Sequence, residues 1–508
     1  MAGRLVTLLT IVVICMCNDS VLTQPSKPNI VMILLDDVGW NDVGWNNKHI
    51  KTPTLTKLAN DGLILNQSYT QPVCSPSRAS LMTGRYPHNV YMDDSTPLGR
   101  DAAEGLDLGL ELLPQKLKKA GYSTHATGKW HLGFCDWKYT PTERGFDSFY
   151  GHYLASNDYY THKSGRGLDL WFNRQSVKDK DGVYDTNLWS DRAVDVIENH
   201  DVTNPLFLYV AYNAAHSPYQ APQDVINSYP PIADKDRRTL AAMMSVVDEG
   251  VANITKALEK KNMMNNTLLV LLSDNGGVPS AGNNWPLRGR KGGFYEGGIR
   301  TPGFVYGGLL RRKGVVAQGL MHLSDWAPTL LTIAGVDISD ETFDGSDQTR
   351  VVLDGGASTR TDIIHYLASS SPGGVIRSGD WKLIIGKSRQ VGWDEDPFDN
   401  PTPTKGSSKD RRQAGQGRPA TGGDRIQLYN IKEDPTEKSN LASQYPSIVR
   451  RLRSKLITAH KTKTAVPEVV TTTAGHPPIF KGVWSPGWCV GGSNGEAATL
   501  VNTDPVVG

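Results

Sequence analysis

Cys74-Ser75-Pro76-Ser77-Arg78 combines a thiol with the start of a helix. Ser75 can cap that helix and Pro76 suits its first turn, which would put Cys74 at the helix mouth with Arg78 one turn in on the same face. Such a mouth attracts an anion, because backbone N–H groups and a guanidinium converge on it. Asp36-Asp37 close an almost wholly apolar run. Adjacent carboxylates at the edge of a core repel each other and call for a cation. All-oxygen ligation suits a hard divalent ion, calcium where many oxygens crowd and magnesium where the geometry is octahedral. Asp274-Asn275 stand after a second apolar run and would add two oxygen ligands. Lys129 and His131 share one face of an extended segment by the two-residue repeat, so a cation and an imidazole would point the same way. His216 follows a third apolar run, and Lys291 lies in a glycine-rich basic stretch.

The elements that must hold these groups are legible as an α/β pattern. Residues 29–35, 206–211 and 268–272 are continuous apolar runs, as expected of parallel strands buried on both faces, and open α/β sheets bind ligands at the carboxyl ends of such strands. Helices are expected at 54–63, 110–120, 188–200 and 239–260, and an extended segment at 122–133. Residues 136–190 read as loops and short strands near the site entrance. The expected fold is therefore a large, mixed, mostly parallel sheet flanked by helices over residues 27–345. A smaller domain on an antiparallel sheet is expected over 346–508, closed by a basic helix at 447–460. Within it, 391–425 is rich in Pro, Gly, Ser, Asp and Arg and reads as a mobile insertion.

The totals exclude some classes. With 38% hydrophobic residues the chain can bury a core, and a formal charge of +2 gives no reason to expect nucleic acid as a partner. Residues 1–22 have the layout of a cleaved secretory leader, and no other run is long enough to give a stable membrane span. Asn66, Asn253 and Asn265 each begin a glycosylation sequon. Together these place the protein on the secretory route, lysosomal or extracellular.

The Cys74 pentapeptide, with Leu81, Thr83, Gly84 and Arg85 behind it, resembles the first signature of the formylglycine-dependent sulfatase family, and Gly128-Lys129-Trp130-His131-Leu132-Gly133 resembles the second. Asp36-Asp37, His216, Asp274-Asn275 and Lys291 follow in family order, and the stretches from Asp36 to Gly44 and from Pro286 to Lys291 look nearest to the N-acetylgalactosamine-4-sulfatase (arylsulfatase B) branch. The resemblance implies an alkaline-phosphatase-like fold and one calcium ion held by Asp36, Asp37, Cys74, Asp274 and Asn275. It also implies oxidation of Cys74 to formylglycine by a formylglycine-generating enzyme. The substrate would be a sulfated glycan or aryl sulfate, with N-acetylgalactosamine-4-sulfate units of chondroitin or dermatan sulfate expected. Arg78, Lys129 and Lys291 would meet the sulfuryl oxygens, His131 would serve as base, and His216 or Lys291 would protonate the departing alcohol. Lys129, His216 and Lys291 would thus contact substrate, whereas His322 and Asp325 read as structural. Conversion of Cys74 would leave Cys135 and Cys489 free to pair. Two other readings are a metal-dependent phosphatase or phosphodiesterase on the same fold, and an inactive sulfated-glycan binder. The first usually has Ser or Thr in place of Cys74; the second would keep an unmodified thiol there.

Overall fold

The computed structural model describes residues 27–386, 392–394 and 426–489. The expected leader at 1–22, most of the stretch 391–425 and the tail from 490 lie outside the described residues.

Strand Asn29–Leu35 is buried throughout and runs at the centre of a ten-stranded sheet, between Leu206–Ala211 and Thr267–Ser273, parallel to both. Ser123–Lys129 and then Ser148–His152 extend the parallel part beyond Leu206–Ala211, while Gly303–Tyr306 pairs antiparallel with Thr267–Ser273. The apolar runs are continuous because both faces are covered. Ile30, Met32 and Leu34 pack with Leu81, Met82, Leu117 and Trp326; Val31, Ile33 and Leu35 pack with Leu55, Trp189, Val247 and Val251. Each such buried side chain stabilises the fold by about 1.5–3 kcal/mol relative to exposure.

Helix Cys74–Thr83 thus lies on one face of the sheet, and helices Pro53–Asp61, Asp185–Asn199 and Lys235–Lys260 lie on the other. The helix expected at 54–63 stops at Asp61, since Leu63 belongs to strand Leu63–Leu65. The one expected at 110–120 is shorter, Leu113–Lys119. Helix Asp185–Asn199 starts three residues before its expected position, and Lys235–Lys260 starts four before, where the Asp234 side chain accepts from Arg237 N.

A four-stranded antiparallel sheet, Asp362–Leu367, Gly374–Ser378, Trp381–Ile385 and Ile426–Asn430, forms the smaller C-terminal layer. One face packs on Tyr69, Tyr86, Phe294 and Tyr295; the other takes Leu452 and Leu456 of helix Pro446–His460. Lys382 reaches across, fully buried, to Glu296 at 3.0 Å and Glu437 at 2.8 Å. Cys135 and Cys489 form a disulfide across 354 residues, and Val483, Trp484 and Trp488 return to the core of the large sheet. Among the described residues no helix is long and apolar enough to cross a membrane.

Candidate active site

The parallel register brings several strand ends to one edge. Leu34 lies opposite both Ala211 and Leu272, and Gly128 lies opposite Ala211, so Asp36, Asp274, Lys129 and the turn leading to His216 leave the sheet together. The close fit requires glycine at Gly128, where φ is +95° and a Cβ would stand 1.9 Å from the Ala211 carbonyl oxygen.

Cys74 is the first residue of its helix, with Val73 as the flanking residue. Ser75 is therefore not the cap. It already lies in the first turn, and its Oγ accepts instead from Leu98 N at 3.1 Å. Cys74 Sγ donates to Asp36 Oδ1 at 3.3 Å, and Lys291 Nζ lies 3.5 Å from the sulfur. Arg78, one turn on, is fully buried and donates through Nε (3.2 Å) and Nη2 (3.0 Å) to Asp274 Oδ2, and through Nη1 (3.0 Å) to the Lys129 carbonyl. Lys129 Nζ pairs with Asp36, and Lys291 Nζ with Asp37 Oδ1 at 2.5 Å. His216 Nε2 stands 3.6 Å from Asp37 Oδ2. The basic side chains fall into two groups. Arg78 and Lys129 form a floor whose side chains are 0% exposed, whereas Lys291 and His216 are 18% and 17% exposed and face the opening.

His131 does not continue the strand. Ser123–Lys129 ends before it, and His131 takes φ +58°, so the two-residue repeat fails, and its ring is buried against the Leu98 backbone. Asp37 likewise has φ +62°. Non-glycine residues in this region are strained by roughly 1–3 kcal/mol and persist where their surroundings hold them, often at active sites. His131 Nε2 is 3.1 Å from the Leu98 carbonyl. A carbonyl only accepts, so Nε2 carries the proton and the buried, unpartnered Nδ1 presents a lone pair. Burial, with Lys129 adding to it, holds His131 well below its usual value and keeps it neutral.

The acids respond to crowding. Burial alone would raise Asp36, but Lys129, His216, Arg78 and Lys291 together hold it well below the usual carboxylate range. Burial and the Asp36 charge push Asp274 up to about 6. Burial opposes the charge on Lys291, yet Asp37 and the neighbouring acids outweigh it and raise its value well above normal. The Cys74 thiol is pushed far up by burial and by Asp274 and Asp36, so an unmodified thiol here stays protonated.

The cluster fits a divalent cation. One ligand atom from each of Asp36, Asp37, Cys74 and His216 lies within 4.8 Å of the others. Asn275 Oδ1 is buried without a hydrogen-bond partner while its Nδ2 donates to Asp37 Oδ1 at 2.8 Å, as expected of an amide oxygen meant for a metal. Asp274 belongs to the same cage, since its Oδ1 accepts from Asp37 N at 3.2 Å, but its other oxygen is held by Arg78. Three carboxylates, on Asp36, Asp37 and Asp274, are already matched by Arg78, Lys129 and Lys291. A divalent ion would therefore leave the pocket positive and suited to an anionic ligand.

Several supports were not legible in the sequence. Tyr159 is fully buried, and its hydroxyl contacts the carbonyl oxygens of Asn213 (2.6 Å) and His216 (2.8 Å), holding the His216 turn from beneath. Asn213 is fixed in turn by Asp185 at 2.7 Å and Trp189 at 2.9 Å. Residues 392–394, expected within a mobile insertion, are anchored: Gly392 O accepts from Gly289 N at 2.8 Å, and Asp394 pairs with Arg290 at 2.7 Å beside Lys291. His322 and Asp325 lie outside the pocket, in a buried cluster where Asp325 pairs with Arg360.

A helix-mouth cysteine ringed by cations and a carboxylate cage, at the carboxyl edge of a mixed α/β sheet, defines a hydrolase site for anionic esters. Residues 28–336, more than half of the chain, match the sulfatase family profile, and the chain belongs to that family of sulfuric ester hydrolases. It is 40% identical to arylsulfatase J of Mus musculus over 488 residues, covering 91% of this chain and 80% of that protein. It is 30% identical to N-acetylgalactosamine-6-sulfatase of Homo sapiens over 357 residues, 65% of this chain and 67% of that protein. Among solved structures, Ps i-CgsB in complex with k-i-k-neocarrahexaose superposes with a TM-score of 0.72 at 29% identity, covering 89% of this chain and 96% of that one.

Proposed function

We propose that this sulfatase desulfates sulfated glycans, with N-acetylgalactosamine-4-sulfate units of chondroitin or dermatan sulfate as the expected substrate, through a formylglycine made from Cys74. The observation that carries the reading is the placement of Cys74 Sγ, 3.3 Å from Asp36 and 3.5 Å from Lys291, at the mouth of the helix that bears Arg78. The residues already described around it suit one calcium ion, and such an ion would add positive charge for the oxygens of the ester and of residue 74.

The chain's own residues would act as follows. Lys291 and His216 meet the sulfate at the opening, while Arg78 and Lys129 keep the floor positive. One hydroxyl of the hydrated aldehyde at residue 74 attacks sulfur and gives up its proton to Asp36 Oδ1, the carboxylate oxygen 3.3 Å from the residue-74 side chain; the ester S–O bond breaks, and the departing alkoxide takes a proton from His216 Nε2. His216 Nδ1 already donates to the Ser217 carbonyl at 2.6 Å, so a proton on Nε2 means the charged form, which burial disfavours and Asp37 favours, the balance lying below the ordinary value. His131 Nδ1 then accepts the proton of the second hydroxyl. The aldehyde C=O re-forms, the carbon–oxygen bond to sulfate breaks, and water restores the diol.

The Cys135–Cys489 disulfide and the exposed sequon residues Asn253 and Asn265 support a secretory route, with a leader at 1–22 and a lysosomal or extracellular destination; Asn66 is half-buried and its amide donates to Gln318. The test is co-expression with a formylglycine-generating enzyme, followed by assay of defined chondroitin and dermatan oligosaccharides across roughly pH 4 to 8. Release of 4-sulfate that is lost in Cys74→Ala is expected. Full activity in Cys74→Ala, or no release from any sulfated oligosaccharide, contradicts the reading.

A further inference from the structure

Helix Pro446–His460 turns Leu452 and Leu456 onto the small sheet and leaves Arg450, Arg451 and Arg453 exposed on its other side, with Lys461 exposed just beyond its end. It contains no Asp or Glu, and none stands in its first turn. Exposed helices usually mix signs along their solvent face, which gains from opposite charges one turn apart. Here Arg450 and Arg453 are three apart, and Arg451 and Lys455 four apart, so like charges face each other at the spacings where they repel.

Lys455 is neutralised by Asp362 at 2.7 Å, and Lys463 donates to the Leu367 carbonyl at 2.9 Å. Among the described residues, no carboxylate pairs with Arg450, Arg451, Arg453 or Lys461. The chain as a whole has 54 basic and 52 acidic residues, so this one-signed face is a local feature. Two aromatic rings stand at the head of the same helix: Tyr445, 42% exposed, lies 5.0 Å from Trp381.

These features point to one kind of occupant. Guanidinium groups hold tetrahedral oxyanions by paired hydrogen bonds, better than ammonium groups do. The basic row from Arg450 to Lys461 spans about 16 Å at 1.5 Å per residue, which matches several anionic groups along a polymer better than one small ion. The exposed Tyr445 ring beside it, backed by the half-buried Trp381, suits the apolar face of a sugar. The helix lies on the side of the small sheet opposite Tyr69, Tyr86, Phe294 and Tyr295, so a chain bound there would leave the Cys74 pocket open.

We propose that the outer face of the C-terminal helix binds sulfated polysaccharide independently of the catalytic pocket, holding the enzyme on a polymer whose esters it cleaves. The choice of a sulfated polymer rests on the glycan-sulfatase reading; the binding itself does not require turnover.

The experiment uses the full chain on immobilised chondroitin 4-sulfate, with elution by salt, beside turnover of 4-nitrophenyl sulfate. The triple variant Arg450→Gln, Arg451→Gln, Arg453→Gln should bind at least ~10-fold more weakly near 0.1 M salt, with a salt slope lower by roughly two units at about 0.7 per lost charge. Its aryl sulfate turnover should match the unaltered enzyme, and Cys74→Ala should bind the polymer normally. The single variant Arg451→Gln, expected to show a smaller shift of the same sign, covers the case of a triple variant that fails to fold. The proposal is overturned if the triple variant binds as tightly as the unaltered chain, or if only Cys74→Ala loses binding. It is also overturned if the helix binds phosphatidylserine vesicles but not the polymer. Absence of polymer binding alongside intact oligosaccharide desulfation would remove this surface and leave the catalytic reading standing.

Discussion

Replacing His216 by Ala should separate substrates by their leaving groups. The side chain faces the pocket opening, Nδ1 is committed to the Ser217 carbonyl, and Nε2 is the ring atom directed toward Asp37 and the site. A sugar alkoxide is a poor leaving group and needs a proton as the S–O bond breaks. A positioned general acid contributes typically 10²–10⁴-fold, so kcat on sugar sulfates should fall by about that factor, equivalent to about 3–5 kcal/mol. An activated nitrophenolate leaves without that help, and its kcat should fall by less than ~10-fold. Burial holds His216 below its ordinary value even though Asp37 and Asp36 pull the other way. Sugar-sulfate turnover should therefore decline as pH rises past a midpoint below about 6.5, and this limb should vanish in the variant. The assay is a pair of kcat and kcat/KM profiles over pH for one sugar sulfate and one aryl sulfate. Equal losses on both substrates, with the limb retained, would refute the acid role.

Tyr159→Phe removes the hydroxyl that contacts the Asn213 and His216 carbonyls, so it should reproduce a weaker version of the His216→Ala substrate split; equal, small effects on both substrates would show that the turn holds without it. Chelation should abolish activity and lower Tm, because the cage of Asp36, Asp37 and Asp274 loses its cation; calcium at ~100 times its Kd should restore about 2.7 kcal/mol, and a Tm indifferent to chelator and calcium contradicts the cage. Burial, helped by Lys382, Arg377 and Arg360, keeps His365 well below its ordinary value, so the unfolded chain binds a proton there that the folded chain refuses. The resulting stability is intact above about pH 6.5 and is lost by up to ~1.4 kcal/mol per pH unit as the pH falls below it. His365→Phe should flatten the Tm profile between roughly pH 6.5 and 5, and an unchanged slope would discount the group.

The central strands were legible because a segment buried on both faces must be apolar at every position, as residues 29–35 and 206–211 are. The acids were legible because Asp36-Asp37 and Asp274-Asn275 follow such runs directly, so strand order alone brings them to one edge. Positions fixed by backbone conformation were harder. Nothing in Gly128-Lys129-Trp130-His131 announces the left-handed turn at His131, and an extended reading runs straight through it. Ser75 looked like a cap because caps and first-turn residues share the same types; the helix starts two residues earlier, with Val73 in the flanking position. Long-range supports had no local signal at all. Tyr159 sits 57 residues from His216, and residues 392–394 open a stretch whose composition suggests motion although their contacts with Gly289 and Arg290 pin them.

The mass of the tryptic peptide carrying residue 74, taken from enzyme that is turning over substrate, tests the central claim most directly. The aldehyde or its hydrate at that position, rising in proportion to activity across preparations, is the predicted result. A fully active preparation in which residue 74 is an unmodified thiol would contradict it.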